Sequence, residues 1–338
     1  MLELTGTEAL RATLAHILRE DPRALLLGED IGLYGGAFGV TRGLFNEFGP
    51  QRLVETPISE ASIVGAGTGM ALMGLRPIIE IMFMDFLPLA MDQILNHASK
   101  FHFMFHGQVD VPMVVRTPCG AGRGYGPSHS QSLSGMFAHI PGLEVYVPSS
   151  PTKMAGLLKT AHAASGPVLF VEHKLIYNRK QTVPFEDAEN FAASVPAIPA
   201  GQADVVRQGS DVTVVAYLDM VNLAIEAAEE LATLGVDVEV LDLQTLSPLD
   251  EIAILTSLAK TGRLVVFEEE YAFCSFGSEV ACLAASKGVQ NLKAPVEKVA
   301  LPNMPIPAAR ELECLIMPNK ERLMQTIENM LGQTKAVG

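Results

Sequence analysis

Short, nearly continuous apolar runs recur through the first half of the chain, at Ala24–Leu27, Arg52–Glu55, Pro77–Met82, Pro112–Arg116, Leu143–Val147 and Val168–Glu172. A strand with one wet face alternates apolar and polar residues. A run that is apolar at consecutive positions needs cover on both faces, which is the situation in a parallel sheet. Helical patterns at Ala61–Met73, Leu87–Phe103 and Thr152–Ala164 lie between the runs and supply that cover. The pattern predicts an open parallel α/β domain.

Between Val183 and Gln208 prolines accumulate and the period is lost, so a linker is expected at residues 191–208. The alternation then restarts. Strand Val212–Tyr217 leads to helix Val221–Leu234, closed by Gly235, and strand Val236–Leu243 follows. Helix Pro248–Lys260, with Ser247 as N-cap and Pro248 in the first turn, precedes strands Leu264–Glu268 and Val296–Ala300. Asn319 is placed to cap a last helix. With 338 residues, the chain is read as two open doubly wound α/β domains, residues 1–190 and 209–338.

Composition narrows the function. Apolar residues at 49% and charged residues at 18% exclude a disordered chain. A formal charge of -14 disfavours nucleic acid and anionic membrane as partners. The apolar stretch from Ala61 to Leu95 is broken by Arg76, Glu80 and Asp85, so no membrane span is expected there. The N-terminus reads as an amphipathic helix and not a signal peptide. Four cysteines without zinc-type spacing suit reduced thiols. A soluble, cytoplasmic protein is expected.

Open parallel sheets bind ligands at the carboxyl ends of their strands, and three loops in such places are unusual. Glu55-Thr56-Pro57-Ile58-Ser59-Glu60 enters a glycine-rich helix. There Ser59 and Glu60 suit helix capping as well as a functional site. Gly65, Gly67 and Gly69 fall inside the helix, which suits close packing and not a dinucleotide turn. Met82-Phe83-Met84-Asp85-Phe86 ends a strand with bulky groups that suit either core packing or an aromatic platform for a ring. Cys119–Gln131 is a long glycine-rich loop that carries His129 among hydroxyls, either a general acid/base or a hydrogen-bonded cap. His102 and His106 lie one turn apart but lack further metal ligands. Glu268, Glu269 and Glu270 read as a solvated strand end.

At these loops the chain resembles the beta subunit of the decarboxylating component of 2-oxo acid dehydrogenase complexes, the family of pyruvate, branched-chain 2-oxo acid and acetoin dehydrogenases. The resemblance runs through Gly28-Glu29-Asp30, Arg42-Gly43-Leu44-Phe45, Thr56-Pro57-Ile58-Ser59-Glu60, Gly74-Leu75-Arg76-Pro77, Asp92-Gln93-Ile94 and His129-Ser130-Gln131. It continues at Pro141-Gly142-Leu143, Pro148-Ser149-Ser150-Pro151 and Lys260-Thr261-Gly262-Arg263. It implies a transketolase-like pyrimidine-binding domain followed by a transketolase C-terminal-like domain.

The resemblance also implies thiamine diphosphate as cofactor. Glu60 would hydrogen-bond a pyrimidine ring nitrogen and favour the tautomer that gives the cofactor an internal base. Phe86 would pack on the pyrimidine, with Met82 lining the pocket. His129 would assist proton transfer, and Glu29 would join a polar path between paired sites. Some relatives bind K+ through backbone carbonyls that match Met113, Ala161 and Ala164.

The Gly-Asp-Gly element that holds Mg2+ and the diphosphate is absent from this chain. The resemblance therefore implies a separate alpha subunit, two of each chain, and a lipoylated acyltransferase as acceptor. Asp85-Phe86, His173-Lys174-Leu175-Ile176-Tyr177 and Ser247-Pro248-Leu249-Asp250 look closest to acetoin-cleaving members. His129-Ser130-Gln131-Ser132 is equally at home among pyruvate and branched-chain members. The competing readings are the C-terminal half of a split transketolase-like enzyme and a noncatalytic scaffold for the acyltransferase.

Overall fold

The computed structural model describes residues 1–335. It divides into two compact units, Met1–Cys119 with Phe137–Ala200, and Gly120–Met136 with Gly201 onward. In the first unit the strands are β1 (Leu2–Thr5), β2 (Ala24–Gly28), β3 (Leu53–Glu55), β4 (Arg76–Glu80), β5 (Val114–Cys119), β6 (Glu144–Tyr146), β7 (Val168–His173) and β8 (Lys180–Val183). β2 to β7 form a parallel sheet in the order β6-β7-β5-β4-β2-β3. Each apolar run singled out in the first half lies in one of these strands, with small shifts at the ends.

β1 and β8 form a separate antiparallel pair. The helix Gly6–Glu20 starts on a capping box, in which Thr5 Oγ1 accepts from the Glu8 amide and the Glu8 carboxylate accepts from the Thr5 amide. Its Leu10, Leu14 and Leu18 join Met154, Leu157 and Leu158 of the helix Pro151–Ala163 in one buried core. Each such side chain contributes about 1.5–3 kcal/mol by leaving water.

The single helix expected over Leu87–Phe103 is instead three pieces: a 3-10 segment Met84–Ala90, a π-helical segment Gln93–Ala98 and an α-turn Phe101–Met104. Pro88 inside the first piece has no amide to donate, which interrupts a regular α ladder. No helix among the described residues is long and apolar enough to cross a membrane.

The second unit carries β9 (Asp204–Arg207), β10 (Val212–Ala216), β11 (Val238–Asp242), β12 (Thr245–Ser247), β13 (Leu264–Tyr271) and β14 (Glu297–Leu301). Its sheet runs β14-β13-β10-β11-β9, parallel except for β9 at the edge. The last helix, Lys320–Lys335, starts with Asn319 Oδ1 accepting from the Arg322 amide at 2.9 Å, as expected. Its Leu323, Ile327 and Met330 pack with Ala224, Ala227 and Leu231 of the helix Met220–Thr233.

Two expectations are corrected here. The stretch read as a linker is folded at both ends. Asp187 caps a helix Ala188–Ser194, whose Phe191 is buried with Leu4 and Val183, and Asp204–Arg207 joins the second sheet as β9. The helix expected from Pro248 begins at Glu251, because the Asp250 carboxylate, not Ser247, accepts the free amide, that of Ala253 at 3.0 Å.

The first sheet holds charge at its centre. Arg116 of β5 donates to Glu80 of β4 at 2.9 Å and, through two nitrogens, to both carboxylate oxygens of Glu172 of β7 at 2.7 and 2.9 Å. Tyr177 donates to Glu172 at 2.5 Å. Arg116 and Glu172 are 2% and 0% exposed, so neither charge can fall back on water. Arg116→Met is expected to cost about 3–5 kcal/mol by leaving two buried carboxylates without their cation. The denaturant midpoint of the purified variant measures this; an unchanged midpoint would show that the network is dispensable.

Candidate functional site at the carboxyl ends of the first sheet

From β2 the chain steps to β3 on one side, and from β4 to β5 on the other. The direction of winding therefore reverses between β2 and β4, and a crevice opens beyond their carboxyl ends. Gly28, the last residue of β2, is in register with Glu55 of β3 and Glu80 of β4. Glu29, the segment Thr56–Glu60 and the segment Ile81–Phe86 consequently leave adjacent strand ends. The Thr56 amide donates to Gly28 O at 2.9 Å and ties the second segment to the first strand. A Cβ on Gly28 would stand 2.8 Å from Glu80 O, so this close approach requires glycine.

Glu60 is the first residue of the helix Glu60–Leu72 and is only 9% exposed. Its carboxyl group has no hydrogen-bond partner among the described residues. Ser59 makes no side-chain cap and instead donates to Ser62 Oγ at 2.8 Å. Partial burial, then the charges of Asp30 and Glu60, push the Glu29 carboxyl above its usual range. Glu29 and Glu60 thus sit within electrostatic reach of each other.

The helix Glu60–Leu72 packs on β4 and on Met84–Ala90. Gly67 lies where a Cβ would overlap Ile79, which gives this mid-helix glycine its packing role. Met82 and Phe86 are half-buried. Phe83 meets Phe86 edge-on at 5.8 Å and Phe38 at 5.5 Å, and Lys174 Nζ lies 5.2 Å from the Phe83 ring.

His129 belongs to the second unit. It does not start a helix: the loop runs on to Leu133, and the helix begins at Ser134. Its Nδ1 is 3.0 Å from Ser128 Oγ. The loop backbone is held by carboxylates. The Ala121 amide donates to Glu269 at 2.6 Å, those of Gly122 and Gly124 to Glu313 at 3.0 Å each, and that of Gly135 to Glu270 at 2.8 Å.

Glu268, Glu269 and Glu270 are therefore not a solvated strand end; they are 0%, 4% and 5% exposed. Backbone amides make this burial tolerable. Gly277 donates to Glu268 at 2.8 Å and Phe276 to Glu270 at 3.2 Å, both from the start of the helix Phe276–Lys287. Burial, then the neighbouring Glu268, pushes the Glu270 carboxyl up to about 7, and burial also raises Glu268.

Residues 3–180 match the transketolase pyrimidine-binding domain and residues 201–323 the transketolase C-terminal domain. The chain is 42% identical over 342 residues to the Bacillus subtilis acetoin:2,6-dichlorophenolindophenol oxidoreductase subunit beta, covering 98% of each. It is 39% identical to the rice pyruvate dehydrogenase E1 component subunit beta-2, mitochondrial, over 96% of this chain and 85% of that one. It belongs to the E1 beta subunits of the pyruvate and acetoin dehydrogenases. A solved structure titled as a split-gene transketolase, inactive beta4 tetramer, shares the fold with a TM-score of 0.75 at 22% identity, covering 97% of this chain and 98% of that one.

Within this family frame, the first unit gathers Glu29, Glu60, Met82 and Phe86 at one end of its sheet. The carbonyls expected to line a cation have protein donors. Met113 O accepts from Val168 at 2.9 Å, Ala161 O from Ala164 at 3.3 Å, and Ala164 O from the Arg76 guanidinium at 3.1 Å. One of these donors, the Arg76 guanidinium, is itself cationic. Among the described residues, no group of three or more His, Cys, Asp or Glu is arranged to hold a metal. The His102 ring is turned to Val109 O at 2.9 Å and Asp110 at 3.1 Å.

Arg116, Glu172, Tyr217 and Glu313 are functional or structural polar residues beyond those expected from the sequence, and the glutamate run is buried where solvent was expected. A signal was present: Glu80, Arg116 and Glu172 each place a charge inside or at the end of an otherwise apolar run.

Glu270 binds its proton more tightly when folded than at its ordinary value of 4.5. Its contribution to stability is therefore complete below about pH 4.5 and is lost as pH rises to about 7. At most it is on the order of 3 kcal/mol. Glu270→Gln stays neutral and is expected to flatten the fall in stability between pH 5 and pH 8. Denaturant titrations at the two pH values test this; parallel slopes in both proteins would reject it.

Proposed function

We propose that this chain forms half of a thiamine diphosphate site, receiving the pyrimidine end of the cofactor beyond β2, β3 and β4. A separate alpha subunit supplies Mg2+ and the contacts to the diphosphate, and the acyl group passes to a lipoylated acyltransferase. The observation that carries the reading is Glu60, a buried carboxyl at a helix start whose hydrogen-bonding capacity the described residues leave unused. A buried carboxyl without a partner is costly, and a ring nitrogen supplied from outside would offset that cost. The site residues therefore fit the pyrimidine.

When bound, the cofactor supplies a carbon nucleophile and stabilises the negative charge left by cleavage next to a carbonyl. Glu60 holds a proton at a ring nitrogen, and partial burial, then repulsion from Asp30 and Glu60, favours the neutral form of Glu29. Phe86, braced by Phe83, offers a ring face for stacking, and Met82 closes the apolar wall. His129 moves a proton during acyl transfer. The substrate class is an acetoin or a 2-oxo acid, both of which present a carbonyl carbon to the same nucleophile.

Reconstitution with the alpha chain, thiamine diphosphate and Mg2+ tests the reading, with dye reduction followed for acetoin, pyruvate and branched 2-oxo acids. Turnover is expected only with both chains. Glu60→Gln is expected to lower kcat by at least about 100-fold, and His129→Ala to impair lipoyl acylation while cofactor affinity is retained. Full turnover from this chain alone would overturn the shared site. Unimpaired Glu60→Gln would remove the role given to that carboxyl.

A further inference from the structure

The loop that carries His129 has little intrinsic order. Gly120, Gly122, Gly124 and Gly126 all have positive φ, between 72° and 94°, and glycine-rich backbone is costly to fix. Two of its side chains add to that cost: the hydroxyls of Ser130 and Ser132 are buried without a hydrogen-bond partner. Donor sites along the loop backbone are taken up by acids from elsewhere in the second unit. Glu313, 0% exposed on the segment Arg310–Ile316, spends one carboxylate oxygen on the Gly122 amide and the other on the Gly124 amide. Glu269 takes the Ala121 amide just before them. Glu270 takes the Gly135 amide beyond His129 and, with its second oxygen, the Phe276 amide.

His129 thus lies between two carboxylate clamps, at Ala121–Gly124 on one side and Gly135 on the other. Side walls add to the first clamp: a Cβ on Gly124 would be 2.9 Å from Arg310 Cγ, and one on Gly126 3.2 Å from Ala308 Cβ. Buried acids are an expensive way to hold a loop if stability alone matters, since apolar groups of similar volume serve as well or better. They are an effective way to fix backbone amides at set points, because each oxygen has a defined direction.

We infer that Glu269, Glu270 and Glu313 are positioning residues that set the place of His129 for acyl transfer. The inference rests on the role proposed above for His129. Where His129 is misplaced by about an ångström, the loss in rate is on the order of 100-fold.

The test uses the reconstituted complex with the alpha chain. Glu313→Gln keeps one acceptor and turns an amide donor toward the other N–H. It is expected to lower the rate of lipoyl acylation by about 10- to 100-fold, with the dissociation constant for thiamine diphosphate changed by less than about threefold. Amide hydrogen exchange should accelerate across residues 120–135. Combined with His129→Ala, Glu313→Gln should add almost no further loss, because both changes remove the same contribution.

Losses that multiply in the double variant, or unchanged exchange across the loop, would overturn the inference. If His129→Ala alone leaves acylation intact, the role of His129 falls while the exchange readout still judges the clamp. Glu269→Gln, which loosens the hydrogen bond to the Ala121 amide, gives the same readouts where Glu313→Gln does not yield a folded complex.

Discussion

A strand buried on both faces can offer polar chemistry only where it ends. Along β2, β4 and β5 nearly every side chain is covered, and the backbone pairs with neighbouring strands. Chemistry is therefore displaced to the carboxyl ends, and the reversal of winding between β2 and β4 decides which ends stand apart enough for a ligand. Glu29, Glu60, Met82 and Phe86 follow from that constraint. The Arg116 network lies deeper in the same sheet, where charge is tolerated only because a bidentate guanidinium and a phenol complete the carboxylates.

The second unit obeys the same constraint with the opposite outcome. Its winding reverses between β10 and β13, and Tyr217 and Glu268 stand just past the residues paired there. Tyr217 donates to Glu268 at 3.0 Å, and the following helix gives its first amides to Glu268 and Glu270. A helix N-terminus at a switch point is a ready anion site. Here the anions are the protein's own side chains. The crevice of the first unit keeps a carboxyl that receives no donor among the described residues, whereas the acids of the second take backbone amides from within and are used to hold a loop.

The contrast explains what the sequence could and could not reveal. The apolar runs at Ala24–Leu27 and Val168–Glu172 were legible because period and composition are local properties. So was Asn319 as a cap. The pieces within Leu87–Phe103 were not, since Pro88 is tolerated in a helical pattern unless the ladder around it is known. Glu268, Glu269 and Glu270 were misread because three consecutive acids suggest solvent. Two of their donors, at Ala121 and Gly135, are distant in sequence, and these and the donors at Phe276 and Gly277 all belong to the backbone, so no side-chain pattern announces them.

The same reasoning decides between the two readings of Glu60. A glutamate at the start of a helix after a strand is a dipole partner in one protein and a site residue in another; residue type and position are identical in both. The difference lies in whether folding supplies the carboxyl with donors. Glu270 shows the structural case, with both oxygens accepting amides from two segments. Glu60 is buried to a similar degree and receives none among the described residues. A fold that gives backbone amides to Glu269, Glu270 and Glu313 in one unit, yet gives none to Glu60 beside Glu29, leaves its hydrogen-bonding capacity for something outside the chain.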